Sequence, residues 1–136
     1  MKTKTALLAI AMILATPLWA KTRILSDYQI RNMAEVIVTK VNERGDWLVV
    51  SSEGAFYNGR KVLFDYQIGE EGQLVADLNN AGDWIVVSRK GAFVNGSTVV
   101  ISGNIASNSA LAADINDKGD WVVASSMGAY KGKANE

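Results

Sequence analysis

The sequence contains neither histidine nor cysteine. Without histidine, the chain lacks the usual general base, the usual zinc ligand and the Ser-His-Asp triad. Without cysteine, it lacks thiol chemistry, disulfides and an attachment point for a lipid anchor. Any catalysis would depend on carboxylates alone. These absences predict a protein that is not an enzyme, that holds no metal or cofactor, and that is stabilised by its core and its hydrogen bonds.

The chain also lacks an excess of positive charge. Basic and acidic residues are equal in number, 14 each, and two of the lysines lie within the first 20 residues. No basic surplus remains to bind a phosphate backbone. Nucleic acids and anionic membrane surfaces are therefore not expected partners.

No apolar run is long enough to span a bilayer, which requires ~20 residues. The run ALLAIAMILA, at 6–15, follows Lys2 and Lys4 and leads to Ala20. This order predicts a secretory signal peptide at 1–20. We therefore expect residues 21–136 to form an exported protein, periplasmic or secreted, without a membrane anchor.

Most of the remaining chain repeats one segment, with tryptophans 37 residues apart. Each copy contains the turn signals N-x-x-G and S-x-x-G, and the first two copies continue with Asn-Gly. Three turns separate four strands, and no segment predicts a helix. We predict one all-β domain at 21–136, made of three four-stranded antiparallel repeats. The units are expected at about 22–59, 60–96 and 97–136.

The third unit lacks its last strand, because the chain stops at KGKANE. The counterpart of that strand, TRIL at 22–25, stands at the other end of the chain. The segment RILSDYQI at 23–30 matches KVLFDYQI at 61–68. We therefore expect the N-terminal strand to complete a sheet that the last unit begins.

The second strand of each unit is apolar on both faces. In DWIVVS, Trp84 and Val86 point to one side, and Ile85 and Val87 point to the other. Such a strand is covered on both sides, which favours propeller-like blades. Closed propellers need about four blades or more, so three blades per chain predict a homodimer with six. The alternatives are a β-trefoil or β-prism with pseudo-threefold closure, and a solenoid or open stack.

The repeat IN-x-x-GDW-x-V-x-S-x-x-GA[FY]-x-NG resembles the short repeats of secreted bacterial propeller-like proteins. The likeness covers the three units and consists mainly of turn and core residues. It implies a β-repeat fold and no particular ligand.

The Gly-Asp-Trp triplets are candidate carbohydrate sites. Tryptophan rings can stack on sugars, neighbouring carboxylates can accept hydroxyl hydrogen bonds, and repeated weak sites would add avidity. The opposing interpretation makes each tryptophan a core residue and each aspartate a clamp for its turn. The candidates are Trp47, Trp84, Trp121, Asp46, Asp83 and Asp120.

Residues that do not recur are better binding candidates than residues that do, because recurring positions usually serve the fold. Tyr57 is therefore a candidate binding residue, and Arg60, Arg89 and Lys90 are further surface candidates. A calcium site in DINDKGD is not predicted, because Lys118 stands where a ligand is required.

The leading hypothesis is an exported, non-catalytic binding protein, lectin-like, with repeat-related sites for carbohydrate. The alternative is a periplasmic or secreted protein-interaction module, such as an inhibitor or an envelope assembly factor.

Overall fold

The computed structural model describes residues 21–30, 36–70, 72–105 and 110–135. These residues form three antiparallel sheets, one from each copy of the repeat. The predicted all-β repeat fold is therefore confirmed. The predicted signal peptide at 1–20 lies outside the described residues.

Sheet 1 contains four strands in chain order, and each of its three turns has a glycine with positive φ. Gly45 (φ 85°) closes the first turn and Gly59 (φ 89°) the third, where it follows Asn58 (φ 50°). These angles match the bulged turn and the type I′ turn that N-x-x-G and Asn-Gly predict. The strands are β1 (Val38–Val41), β2 (Trp47–Ser51), β3 (Gly54–Tyr57) and β4 (Arg60–Phe64).

Sheet 2 has the same strand order, and its last strand is followed by a short 3₁₀ helix at Ser102–Asn104. Its second strand is buried along its whole length, as two apolar faces predict. The strands are β5 (Val75–Leu78), β6 (Trp84–Ser88), β7 (Gly91–Val94) and β8 (Ser97–Ile101).

Sheet 3 has three strands, β9 (Ala112–Ile115), β10 (Asp120–Ser125) and β11 (Gly128–Lys133). The third unit has Lys131-Gly132 near the place where the first two units have Asn-Gly, and β11 continues through both residues. The expected N-terminal strand, residues 22–25, belongs to none of the three sheets.

Two one-turn helices, which the sequence did not predict, occupy the two DYQI segments. They are α1 (Asp27–Ile30) and α2 (Asp65–Ile68). Each begins with the same contact, a backbone N–H donated to a glutamine side chain. Ser26 donates to Gln29 Oε1 at 2.8 Å, and Phe64 donates to Gln67 Oε1 at 2.9 Å. The repeated sequence therefore forms a repeated local structure.

The core consists of two apolar layers on either side of sheet 2. In the first layer, Leu48 and Val50 of sheet 1 share a cluster with Trp84 and Val86 of sheet 2. In the second, Ile85 and Val87 of sheet 2 share a cluster with Trp121 and Val123 of sheet 3. Each of these second-layer residues is 37 positions after its counterpart in the first. The two interfaces between sheets are thus copies of one interface.

A glycine substitution tests the tight second turn of each unit. Gly91 has φ 146°, and a Cβ there would lie 2.9 Å from the carbonyl oxygen of Val100. We expect Gly91→Ala to lower the free energy of unfolding by ~1–3 kcal/mol, the usual cost of a strained backbone position. Urea denaturation followed by tryptophan fluorescence would measure it.

The control is Gly103→Ala, because Gly103 has no positive φ and open space around its Cα. Its effect should stay within about 0.5 kcal/mol. Equal effects of the two substitutions would show that the positive φ of Gly91 and the nearby Val100 carbonyl do not restrict this turn to glycine.

Candidate functional site

The three candidate tryptophans lie at the same position of β2, β6 and β10, but they differ in exposure. Trp84 is 4% exposed and Trp121 is 6% exposed, each between two sheets. Trp47 is half-buried on the outer face of sheet 1. Only Trp47 therefore offers part of its ring to a ligand in a single chain, and three equivalent stacking platforms are not present.

The candidate aspartates bind the turns of their own units. Asp46 accepts hydrogen bonds from the side-chain amides of Asn42 (2.9 Å) and Asn58 (3.0 Å). Asp83 accepts the equivalent bonds from Asn79 (3.1 Å) and Asn95 (2.9 Å). Each carboxylate thereby joins the first turn of its sheet to the third, which is the clamp role considered above.

The third aspartate has a different partner. Asp120 accepts from Asn116 at 3.3 Å and lies 3.8 Å from the ammonium of Lys133. Unit 3 has Gly132 where the other units have asparagine, so the second amide donor is missing. The indole of Trp121 fills the space beside Gly132, and a Cβ there would collide with the ring.

Hydrogen bonds between turns fix how one sheet sits on the next. Asn42 Nδ2 donates to the carbonyl of Asn79 at 2.9 Å, and Asn79 Nδ2 donates to the carbonyl of Asn116 at 2.8 Å. Asn79 is only 3% exposed, and a buried amide left without partners costs ~1–3 kcal/mol. The constant spacing of the N-x-x-G turns thus serves the stacking of sheets.

Tyr57 lies at the end of β3 and is half-buried. Its hydroxyl and the Arg44 guanidinium lie over Gly82, in the first turn of sheet 2. Burial is the main cause that raises the pKa of Tyr57. The ring therefore takes part in the contact between sheets 1 and 2 and is not an open platform.

The first strands of the sheets bring charged residues together. Lys40, Asp77 and Asp114 occupy one position in β1, β5 and β9. Asp77 Oδ2 accepts the backbone N–H of Ile115 at 3.0 Å. A hydrogen bond with the neighbouring carboxyl of Asp77 raises the pKa of Asp114.

Two negative observations hold for the part of the chain that the structure describes. It contains no group of three or more carboxylates or other ligands that could hold a metal ion. It also contains no helix long and apolar enough to cross a membrane.

A groove at the rim between sheets 1 and 2 was not predicted as a unit. Its volume is ≈ 580 Å³, and Arg89 and Lys90, in the turn between β6 and β7, are among the residues that line it. Tyr66 of α2 lines it and is stacked on Phe64, with ring centroids 5.9 Å apart and planes parallel within 1°. The lining residues are Ser52, Glu53, Asp65, Tyr66, Gly69, Glu70, Arg89 and Lys90. We call this feature the rim groove.

The rim groove and its aromatic stack bring together two residues that the sequence pointed to and two that it did not. Arg89 and Lys90 were surface candidates because they do not recur. Phe64 and Tyr66 were missed, although one signal was available: KVLF at 61–64 has phenylalanine where RILS at 23–26 has serine. The other two surface candidates, Tyr57 and Arg60, are not among the lining residues.

The Arg89 side chain is incompletely satisfied. Its Nε is one of two buried side-chain polar atoms without a hydrogen-bond partner in the described ranges, and Trp121 Nε1 is the other. The Trp121 nitrogen lies inside the core, whereas Arg89 borders the rim groove. The rim groove therefore combines exposed aromatic rings with an arginine whose buried Nε has no hydrogen-bond partner.

Searches of protein-family models, of curated proteins and of solved structures found no match to this chain.

The Asp46 clamp predicts a dependence of stability on pH. Hydrogen bonds from Asn42, from Asn58 and from Arg44, in that order, lower the pKa of Asp46 from 3.8 to about 2. The folded chain thus binds this proton less readily than the unfolded chain does. The contribution of Asp46 is complete above pH 4 and is lost as the pH falls towards 2.

We expect Asp46→Asn to reduce the melting temperature at pH 7 and to flatten the fall between pH 4 and pH 2, measured by circular dichroism. Arg44→Ala is the control, because Arg44 is the third cause of the shift and most of the fall should survive its removal. An unchanged profile in Asp46→Asn would refute the assignment.

Proposed function

We propose that this protein is a non-catalytic binding module that holds a segment of a protein partner in the rim groove. The observation that carries the proposal is the exposed stack of Phe64 and Tyr66 beside Arg89, whose buried Nε has no hydrogen-bond partner. Phe64 is 50% exposed and Tyr66 is 70% exposed. Aromatic rings and arginine are the residue types that contribute most to the free energy of binding at protein interfaces.

The mixed charges of the rim groove favour a polypeptide over a single anion. The groove is lined by the basic side chains of Arg89 and Lys90 and by the carboxylates of Glu53, Asp65 and Glu70. A peptide backbone and its side chains present both donors and acceptors, so they can interact with side chains of both charges. Arg89 Nε is buried and has no hydrogen-bond partner, so a ligand that reorients this side chain breaks no hydrogen bond of that nitrogen.

The groove supports one site per chain rather than three. Its Arg89-Lys90 pair is Ser52-Glu53 in the first unit and Ser126-Met127 in the third. Residues that change between copies are free of the demands of the fold, whereas the recurring Asp-Trp pairs serve the turns and the core. The alternative hypothesis stated above, an exported protein-interaction module, is thereby favoured over a lectin with three sites.

The place of action in this proposal is outside the cytoplasm. It depends on the predicted signal peptide at 1–20, and the partner would be another periplasmic or secreted protein.

A peptide-library selection against the purified protein tests the groove. We expect selected peptides to lose at least tenfold in affinity on Tyr66→Ala, about 1.4 kcal/mol, and a comparable factor on Arg89→Ala. Isothermal titration calorimetry would measure both. The matched control is Tyr28→Ala, because Tyr28 has the same position in the other DYQI segment and is 77% exposed.

The same protein on a glycan array separates the two hypotheses. If saccharides bind and quench tryptophan fluorescence while no peptide is selected, the groove proposal is wrong. Trp47 would then be the ring to examine. Peptide binding that is insensitive to both Tyr66→Ala and Arg89→Ala would also overturn the proposal.

A further inference from the structure

The two end sheets present faces that match the buried faces inside the molecule. The free face of sheet 3 contains Val122 and Ala124, and Val122 has the position that Leu48 has in sheet 1 and Ile85 in sheet 2. Leu48 and Ile85 are 0% exposed, whereas Val122 is 49% exposed. Beside it lies an apolar hollow of ≈ 430 Å³, lined by Ala110, Leu111, Ala112, Ala124, Ser125 and Ser126.

The outer face of sheet 1 is the complementary surface. Trp47 and Val49 are half-buried there, at the positions that Trp84 and Val86 occupy in the interface of sheets 1 and 2. Val41, on the adjoining strand, is 72% exposed. Each internal interface joins a Leu/Ile-Val face to a Trp-Val face. The molecule therefore ends in one unused face of each kind.

The strands show the same complementarity. Sheet 3 lacks the fourth strand, and β11 forms its edge. Residues 22–26 correspond to β4 and are followed by α1, just as β4 is followed by α2, with the same glutamine contact. In sheet 1, β4 pairs with β3, and Tyr57 lies opposite Arg60. Among the described residues, the chain thus carries one segment that corresponds to a strand but joins no sheet, and one sheet that lacks its last strand.

The polar groups that join neighbouring sheets also leave counterparts unused at the two ends of the molecule. The side-chain amides of Asn42 and Asn79 each donate to the asparagine carbonyl of the next sheet. Asn116 has the same position, and its Nδ2 donates to Asp120 of its own turn. Asp77 accepts the N–H of Ile115 on the next sheet. Asp114 is the counterpart of Asp77, and Val41 is the counterpart of Ile115.

We propose that two copies of this chain associate head to tail into a closed ring of six sheets, in which residues 22–26 of each copy complete sheet 3 of the other. The Val122 face of one copy packs on the Trp47 face of the second. Asn116 donates to the Asn42 carbonyl across the contact, and Asp114 accepts from the Val41 backbone N–H. Six sheets fall within the range of closed propellers, and the two contacts are related by a twofold axis. This inference does not depend on the rim groove.

The register of the exchanged strand is specific enough for a cross-linking test. Counterparts of the Tyr57–Arg60 pair are Lys131 and Thr22, both exposed in the single chain. Because the chain contains no cysteine, Thr22→Cys in one preparation and Lys131→Cys in another leave one thiol each. Mixed after partial denaturation, refolded and oxidised, the two variants should form a dimer with a disulfide between positions 22 and 131, seen by mass spectrometry.

The matched control replaces Lys131→Cys by Met127→Cys, since Met127 is exposed and lies near the other end of β11. Positions 127 and 131 are four residues apart, which corresponds to ~13 Å along a strand. The pair Thr22→Cys and Met127→Cys should therefore cross-link at least tenfold less than the pair Thr22→Cys and Lys131→Cys. A disulfide within one chain of the Thr22→Cys, Lys131→Cys double variant would overturn the proposal and favour threefold closure.

Sedimentation equilibrium tests the faces. We expect a mass of two chains for the wild type and of one chain for Val122→Lys, with circular dichroism unchanged because Val122 is exposed in the single chain. The control Ile101→Lys changes a residue that is 63% exposed on β8, away from both end faces, and should remain dimeric. A wild type that is monomeric at all concentrations, or whose mass grows without limit, would refute the closed ring.

Discussion

The structure depends on the fact that each sheet has two apolar faces and cannot cover either one alone. Sheet 2 shows the solution, because its central strand β6 is buried from Trp84 to Ser88 by a neighbour on each side. The hydrophobic contribution of each buried side chain, ~1.5–3 kcal/mol for a valine or isoleucine, is obtained only when another copy is stacked on it. Repetition is therefore the way in which a chain without disulfides builds its core.

Stacking alone does not fix the position of one sheet on another, because valine faces can slide. The turns supply the missing specificity. Each N-x-x-G turn of sheets 1 and 2 is bound to its own carboxylate and, through the asparagine amide, to the carbonyl of the following turn. Asn79 therefore acts in two directions, within sheet 2 and towards sheet 3. A directional polar contact at the end of a non-directional apolar layer sets the angle between neighbouring sheets.

Much of the fold was predictable because the pattern is strong. The 37-residue period, the turn signals and the two-sided apolar strand each predicted strands and turns that the structure contains. The two helices were missed, since one turn of four residues has no periodic signal to detect. The continuation of β11 through Gly132 was also missed, because the pattern does not show that Gly132 pairs with Trp121 of β10, whose ring fills the space where a Cβ would be.

The site was less predictable than the fold. Repetition identified the Asp-Trp pairs clearly, but it cannot tell whether a repeated ring is exposed, and exposure here depends on whether another sheet lies above it. Trp47 and Trp84 have nearly the same local sequence and different surroundings. The rim groove combines residues from 52 to 90, so only the folded chain brings them together.

The Asn-Gly turns have a consequence for the ageing of the protein. Asparagine before glycine is the sequence in which the side chain cyclises most readily to a succinimide and hydrolyses to a carboxylate. In Asn58 and Asn95 both ends of the side-chain amide are engaged, because the oxygen accepts from the backbone N–H of a tryptophan and the nitrogen donates to Asp46 or Asp83. Conversion of either amide would replace that donor by a second negative charge facing the aspartate. The clamp that engages both ends of these amides is therefore the first structure that their deamidation would open.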